Sequence, residues 1–229
     1  GFLLKKSMDI VDVYAVAKFY DNSLRSCYID NIYSSKTLWL FKLRCKSGVR
    51  LLKIEPGVRM HLSSVEPSEK SVDKLAAFLR KHLRNARITS ITQYGWERLI
   101  AVEASGSGGE YKLFVELLPR GFLVVADREG KILYADRFES LRDREVKRGL
   151  PYKPPPGWSS FEEYFANLPE KLSAGKDLVR GLVKGWGLPG YIAEEVLYRA
   201  GLFEKRNSSV SELHESDKGA LVEAYKSIL

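Results

Sequence analysis

The chain of 229 residues carries 37 lysines and arginines against 29 aspartates and glutamates, a formal net charge of +8. Apolar residues make up 45% and aromatic residues 11% of the chain, which excludes an intrinsically disordered protein and allows one large domain or two smaller ones. No apolar run approaches the ~20 residues of a membrane-spanning helix, so we expect no membrane partner. The basic excess favours an anionic partner such as RNA or DNA.

The N-terminal segment and the cysteines indicate the cellular compartment of the protein. In the segment Gly1–Ser7 the cations follow the apolar residues, unlike a secretory signal peptide, and Met8 could be the natural start. Cys27 and Cys45 form no CxxC arrangement and are interpreted as ordinary buried thiols. Three histidines complete no metal-ligand spacing with them: His61, His82 and His214. We therefore predict a soluble protein of the reducing cytoplasm without a cofactor.

The first 150 residues are predicted to form an α+β domain. Apolar positions at helical spacing predict a helix from Asp9 to Leu24, and a second helix is expected at about Ser71–Arg84. Alternation of apolar and polar residues predicts a largely antiparallel sheet. Its strands are expected at Ser26–Tyr33, Thr37–Cys45, Val49–Glu55, Val58–Leu62, Ile88–Tyr94, Leu99–Ala104, Tyr111–Leu118, Phe122–Asp127 and Ile132–Tyr134.

A change of composition near Pro151 marks the end of that domain. Prolines between Pro151 and Pro156 predict a stiff linker over residues 151–158, between an α+β domain at 8–150 and an all-helical domain at 159–229. Helices predicted at Asp177–Lys184 and Tyr191–Ala200 flank a glycine-rich hairpin, and Gly185 and Gly201 are expected to end them.

This pattern is typical of a helix-hairpin-helix unit. Backbone N–H groups of Gly187 and Gly190, at the start of the second helix, are suited to binding a phosphate. A hairpin that only packs the two helices together is the alternative.

The densest positive charge lies at the end of the second predicted helix, in the sequence Arg80–Lys81–His82–Leu83–Arg84–Asn85–Ala86–Arg87. Crowded cations repel one another, and a polyanion would relieve that repulsion. We therefore predict nucleic-acid contacts from Arg80, Lys81, Arg84 and Arg87. The alternative is a solvated helix end whose cations complement the helix dipole.

Two further polar groups are candidates for a site. Asp9 and Asp12 share one face of the first helix, where they could also only cap it. Glu97 and Arg98 are adjacent in a segment that resembles a strand, so their side chains are expected on opposite faces. An exposed Arg98 could stack on an unpaired base or bind a phosphate.

The chain resembles the N-terminal region of the NFACT family, which includes Rqc-type ribosome quality control factors, nuclear export mediator factor and fibronectin-binding protein A. The matching stretches follow family order and are DVYAVAKFY (12–20), IDNIY (29–33), LLKIEPGVRMHL (51–62), FLRKHLRNARITSITQYGWERLI (78–100), VELLPRGFLVVAD (115–127), VKRGLPYKPPP (146–156) and GLPGYIAEEVLYRAGL (187–202).

The resemblance implies a fold related to the N-terminal domain of formamidopyrimidine-DNA glycosylases, followed by helix-hairpin-helix elements. It also implies a factor that is not an enzyme. Such a factor recognises large ribosomal subunits obstructed by peptidyl-tRNA, binds tRNA and large-subunit RNA, and supports template-free tailing of the nascent chain. The family's tRNA-binding and tailing residues fall on Asp12, Glu97 and Arg98, and Glu97 is a departure because the family has Asp there. Since the family's coiled coil is not in this sequence, self-association is expected only through that missing segment.

Two other functions remain open from the sequence. A nucleic-acid glycosylase or lyase would use Asp12 as its carboxylate and Lys53 or Lys81 as its amine nucleophile. The name fibronectin-binding protein A also suggests a third function, a surface adhesin that binds an extracellular matrix protein.

Overall fold

The computed structural model describes residues 8–229, so the expectation about Gly1–Ser7 falls outside the described residues. The chain forms two compact units. The first ends at Trp158 and the second spans Ser159–Leu229.

The first unit combines two helices with a large antiparallel sheet, which confirms the predicted α+β class. Helix α1 spans Ile10–Leu24 and helix α2 spans Lys74–Leu83. The strands are β1 Tyr28–Ser35, β2 Leu38–Cys45, β3 Gly48–Glu55, β4 Arg59–Ser63, β5 Arg87–Gln93, β6 Leu99–Gly106, β7 Gly109–Glu116, β8 Leu123–Asp127, β9 Ile132–Ala135, β10 Glu139–Ser140 and β11 Glu145–Val146.

Within the described residues 8–158, nine strands share one sheet in the order β4-β3-β2-β1-β5-β6-β7-β8-β9. Each strand pairs with its neighbour in the sequence, except where β1 meets β5. That seam rests on the pair Tyr28–Arg87 and on backbone hydrogen bonds such as Ile29 N to Ala86 O at 2.8 Å. Apolar faces of α1, α2 and strands from both sides of the seam fill a common core. The seam therefore joins two halves of one packed unit.

Helix α2 begins at Lys74, three residues later than predicted. Ser71 instead exchanges two backbone hydrogen bonds with Ser34 at 2.8 Å, which holds this stretch extended. The Asp73 carboxylate caps the helix by accepting from Ala76 N at 2.8 Å, and it also accepts from the Trp39 indole.

The prediction that both cysteines are free thiols is wrong, because Cys27 and Cys45 form a disulfide. Antiparallel pairing of β1 with β2 places Tyr28 opposite Arg44. The two cysteines flank that pair, and their Cα atoms lie 4.5 Å apart. The sequence alone does not reveal this pairing, because it depends on the register between two strands.

The proline-rich segment contacts the rest of the first unit near both of its ends. The Tyr152 ring stacks on Phe114 with centroids 3.9 Å apart, and the Trp158 indole donates to Tyr94 O at 2.8 Å. The segment is therefore stiffened by contacts as well as by its prolines.

The second unit is helical throughout its ordered elements. Its helices are α3 Phe161–Ala166, α4 Leu168–Lys171, α5 Leu178–Arg180, α6 Gly190–Arg199 and α7 Glu215–Ile228. Short 3₁₀ turns span Leu172–Ala174, Phe203–Lys205 and Val210–Glu212, and a π-helical turn spans Gly181–Gly185. The helix predicted at 177–184 is thus one α-turn, capped by Asp177, that runs into a π-turn.

Gly185 is the last residue of the π-turn, but its φ is not in the left-handed region that a C′ glycine adopts, whereas Gly201 has φ +73° as expected. A Cβ at Gly185 would lie 1.9 Å from the Lys171 carbonyl oxygen. Similar contacts exist at Gly175 and Gly181, where a Cβ would lie 2.1 Å and 2.5 Å from neighbouring backbone atoms. These glycines allow two backbone segments to touch.

Candidate nucleic-acid interface

The start of α1 holds two carboxylates in a reciprocal cap. Asp9 Oδ1 accepts from Asp12 N at 2.8 Å, and Asp12 Oδ2 accepts from Asp9 N at 3.0 Å. Asp12 therefore helps to cap the helix, as the simpler of its two interpretations predicts, and it is half-buried.

The loop between β5 and β6 lies against this helix start. Trp96 in the loop is 2% exposed, and its ring centroid lies 5.7 Å from that of Tyr14 on α1. At the other end of α1, Asp21 Oδ1 accepts from Ile91 N in β5 at 2.8 Å. Helix α1 therefore runs antiparallel along β5, with Asp12 at the same end as the loop.

Glu97 and Arg98 lie in that loop rather than in a strand, so the prediction of opposite faces is wrong. Glu97 Oε1 accepts from the backbone N of Arg98 at 2.7 Å and lies 3.9 Å from the Arg98 Nε. Gln93 Nε2 donates to Glu97 O at 2.9 Å and fixes the bend. The side chains of Glu97 and Arg98 are 22% and 34% exposed, so both reach solvent on one side of the loop.

The cations near the end of α2 differ in their surroundings. Arg80 is half-buried, donates from Nε to Ile32 O at 2.6 Å, and lies 4.7 Å over the Tyr33 ring. Arg84 is exposed and donates to Asn31 Oδ1 at 2.8 Å, while Lys81 and Arg87 are also exposed. Arg80 thus mainly positions the cluster, and the other three present charge to solvent.

His82 does not add to this positive charge near neutral pH. Burial, followed by repulsion from Lys81, lowers the pKa of His82 below its ordinary value of 6.5. Its Nδ1 lies 3.3 Å from the Tyr111 hydroxyl. The neutral imidazole is therefore part of an aromatic contact.

The structure does not bring the cations and the Glu97–Arg98 loop together. Arg87 begins β5 and the loop follows its last residue, so seven residues at ~3.3 Å each place the two groups about 20 Å apart. They belong to opposite ends of one strand.

Gly187 and Gly190 lie in the second unit at the start of α6. Gly187 has φ +71°, and a Cβ at either glycine would meet no atom within 4 Å. Gly190 is the first residue of α6, after the N-cap Pro189. The backbone around both glycines is thus open within its own unit.

A family model described as NFACT N-terminal and middle domains matches residues 9–229. The chain belongs to the NFACT family. The family resemblance found in the sequence is thereby confirmed.

Two relatives show how much of a longer protein this chain matches. It is 31% identical to the mouse protein named "Ribosome quality control complex subunit NEMF" over 147 residues, which is 63% of this chain and 14% of that protein. It is 28% identical to the "Archaeal Rqc2 homolog aRqcH" of Methanocaldococcus jannaschii over 166 residues, which is 67% of this chain and 23% of that protein. The NFACT chain thus corresponds to less than a quarter of either relative.

Solved structures of bacterial proteins share the fold. The N-terminal part of the fibronectin/fibrinogen-binding protein from Streptococcus suis has a TM-score of 0.68 at 19% identity and covers 92% of this chain and 83% of that chain. The fibrinogen-binding protein from Staphylococcus aureus has a TM-score of 0.68 at 19% identity and covers 94% and 79%. At this identity the likeness concerns the fold alone.

Sequence reasoning on this NFACT chain missed a buried ionic network. Glu116 is fully buried and accepts two hydrogen bonds from Arg144 at 2.6 Å and one from the Tyr152 hydroxyl at 2.6 Å. Burial, together with the adjacent Glu116 carboxylate, raises the pKa of Tyr152 well above 10.0, so this hydroxyl remains a donor. The available signal was a carboxylate directly after the apolar residues Leu113, Phe114 and Val115 of β7.

Two absences hold for the part of the NFACT chain that the structure describes. No three side chains of His, Cys, Asp or Glu within residues 8–229 converge on a point where a metal ion could bind. None of the helices in that range combines the length and apolarity needed to cross a bilayer.

Proposed function

We propose that this chain is the RNA-binding part of a ribosome quality control factor. It recognises large ribosomal subunits obstructed by peptidyl-tRNA, binds tRNA, and supports template-free tailing of the nascent chain. The relatives named for ribosome quality control support this role. The observation that carries it is the Tyr14–Trp96 contact, which joins the Asp12 helix end to the Glu97–Arg98 loop.

The chemistry of this loop favours the edges of unpaired bases. The Arg98 guanidinium offers a planar set of donors for base acceptors or a phosphate. Carboxylates beside it repel phosphates but accept hydrogen bonds from exocyclic amino groups, as Asp and Glu do with cytosine. Asp12, Glu97 and Arg98 are therefore assigned to tRNA contacts.

The remaining predicted residues contact phosphates. Lys81, Arg84 and Arg87, positioned by Arg80, bind tRNA or large-subunit RNA at the opposite end of β5. Backbone N–H groups at Gly187 and Gly190 bind a phosphate within a helix-hairpin-helix unit. Two separated contact regions suit a folded RNA better than a small ligand.

Under this proposal the protein acts in the cytoplasm and is not itself an enzyme. Since Cys27 and Cys45 form a disulfide, this location is supported by the names of the relatives and not by free thiols. It positions tRNA, and the peptidyl-transfer chemistry belongs to the ribosome. The proposal includes a relation in fold between the first unit and the glycosylases, and it does not include glycosylase activity.

Replacing Arg98 with alanine should weaken tRNA binding by about 5-fold to 150-fold, because a bidentate base contact contributes about 1–3 kcal/mol. Fluorescence anisotropy with labelled tRNA measures this for the whole chain at fixed salt. Arg98→Lys, which keeps the charge but loses the planar donor set, should also bind more weakly than the original protein.

The matched control is Arg128→Ala, which removes the same charge from a side chain that is 80% exposed in the turn after β8. Arg128→Ala should change the affinity for tRNA only slightly. Equal losses for Arg98→Ala and Arg128→Ala would show that only net charge matters and would contradict the assignment. A thermal unfolding curve for each variant separates loss of fold from loss of binding.

A further inference from the structure

An exposed tyrosine on β1 lies between two arginines of neighbouring strands. Tyr28 is opposite Arg44 of β2 and opposite Arg87 of β5. Residues paired across antiparallel strands have side chains on the same face of the sheet. Tyr28 is 41% exposed and the Arg44 side chain 55% exposed.

The tyrosine and one arginine form a cation–π pair. The Arg44 guanidinium carbon lies 5.3 Å from the centre of the Tyr28 ring. Unpaired nucleobases stack both on aromatic rings and on guanidinium planes. The pair therefore presents two flat surfaces of the type that bases bind.

Further cations surround this pair. Lys42 lies two residues before Arg44, about 7 Å along the same face of β2, and is opposite Asn31. Asn31 in turn accepts a hydrogen bond from Arg84 at 2.8 Å. Asp30 lies 3.2 Å from Arg44 and is the carboxylate of this group. We call these residues the β1 platform, defined as Tyr28, Asp30, Asn31, Lys42, Arg44, Arg84 and Arg87.

The β1 platform has a fixed geometry. The Cys27–Cys45 disulfide joins β1 to β2 at the residues that flank the Tyr28–Arg44 pair. Strand pairing on both sides of Tyr28 restrains its backbone further. A rigid platform loses little conformational entropy on binding.

We infer that the β1 platform binds a single-stranded segment of RNA, with one base stacked on Tyr28 and Arg44 and the adjacent phosphates on Lys42, Arg84 and Arg87. The four cations outnumber the two carboxylates beside them, which are Asp30 and, near Lys42, Glu66 in its ion pair with Lys70. This charge favours a polyanion, and the exposed ring selects an unpaired base over a duplex, whose bases are already stacked. The inference extends the proposed function by adding a site distinct from the Glu97–Arg98 loop and selective for unpaired nucleotides.

Replacing Tyr28 with alanine should weaken binding of a labelled oligo(U) ribonucleotide by about 5-fold to 150-fold, since stacking on an aromatic residue contributes about 1–3 kcal/mol per base. Tyr28→Phe keeps the ring and should bind like the original protein. Lys42→Ala should reduce the slope of log affinity against log salt concentration by about one, which corresponds to one counterion released. Fluorescence anisotropy over a salt series measures all three.

The control is Tyr198→Ala, which removes a 73% exposed tyrosine from α6 of the second unit and should leave oligo(U) binding unchanged. Oligo(U) binding by Tyr28→Ala equal to that of the original protein would overturn the inference. So would equal affinity for an RNA duplex of the same length, or for an oligoglutamate peptide, because either would indicate a general basic surface.

Failure of this inference is distinguishable from failure of the proposed function. Arg98→Ala tests tRNA binding at the loop, about 20 Å from the platform end of β5. Tyr28→Ala tests unstructured RNA at the platform. If only one of the two substitutions weakens binding of its RNA, the assignment of the other site is the one that fails.

Discussion

Replacing Glu116 with alanine should destabilise the first unit by about 3–5 kcal/mol, the range found when one partner of a buried ion pair is removed. The loss should exceed that of any exposed ion pair in this unit. Denaturant unfolding followed by circular dichroism measures it as a change in the free energy of unfolding.

The expected size follows from the contacts that Glu116 makes. Its carboxylate is fully buried and accepts two bonds from Arg144, one from Tyr152 and one from Phe122 N at 3.1 Å. The Arg144 side chain is only 6% exposed, so alanine at 116 leaves a guanidinium charge unpaired in the interior. It also removes the acceptor that holds Tyr152, and with it part of the packing of the proline-rich segment.

The matched control is Glu103→Ala on β6. Glu103 lies 3.7 Å from Lys112, and its side chain is 43% exposed. Solvent screens such a pair, so the substitution should cost about 1 kcal/mol or less. Comparable losses for the two glutamates would contradict the importance of the buried network.

The second large effect is expected at Gly185. A Cβ there would lie 1.9 Å from the Lys171 carbonyl oxygen, far inside contact distance, and backbone atoms cannot move aside as a flexible side chain can. Gly185→Ala should therefore destabilise the helical unit by about 3 kcal/mol or more, at or above the upper end for overpacking. Thermal unfolding followed by circular dichroism measures the loss of helix.

Gly190→Ala is the control, because it adds the same methyl group where nothing lies within 4 Å and φ is not positive. It should keep stability within about 1 kcal/mol of the original protein. A stable Gly185→Ala variant with unchanged helix content would show that the contact between these backbone segments is not required.

Local patterns predicted much of this fold. The first helix, capped by Asp9, and the successive strands of the sheet follow from apolar periodicity, because each is encoded within a short segment. Helix α2 begins later than predicted because Ser71 pairs with Ser34, which is distant in sequence. Sequence periodicity carries no information about such partners.

The site required the same long-range information. Periodicity placed Glu97 and Arg98 in a strand, whereas the buried Trp96 and the Gln93 amide hold them in a bend. Strand register decides that Cys27 meets Cys45 and that Tyr28 lies between two arginines. The residue types were visible in the sequence, but their proximity was not.

Recognition of tRNA by this chain is tested by a salt titration against deacylated tRNA and against duplex DNA of equal length, followed by fluorescence anisotropy. Nonspecific electrostatic binding falls steeply with salt, so contacts specific to tRNA should persist at about 150 mM. We predict a clear preference for tRNA at that concentration. Equal and salt-sensitive binding to both nucleic acids would contradict tRNA recognition by this part of the protein.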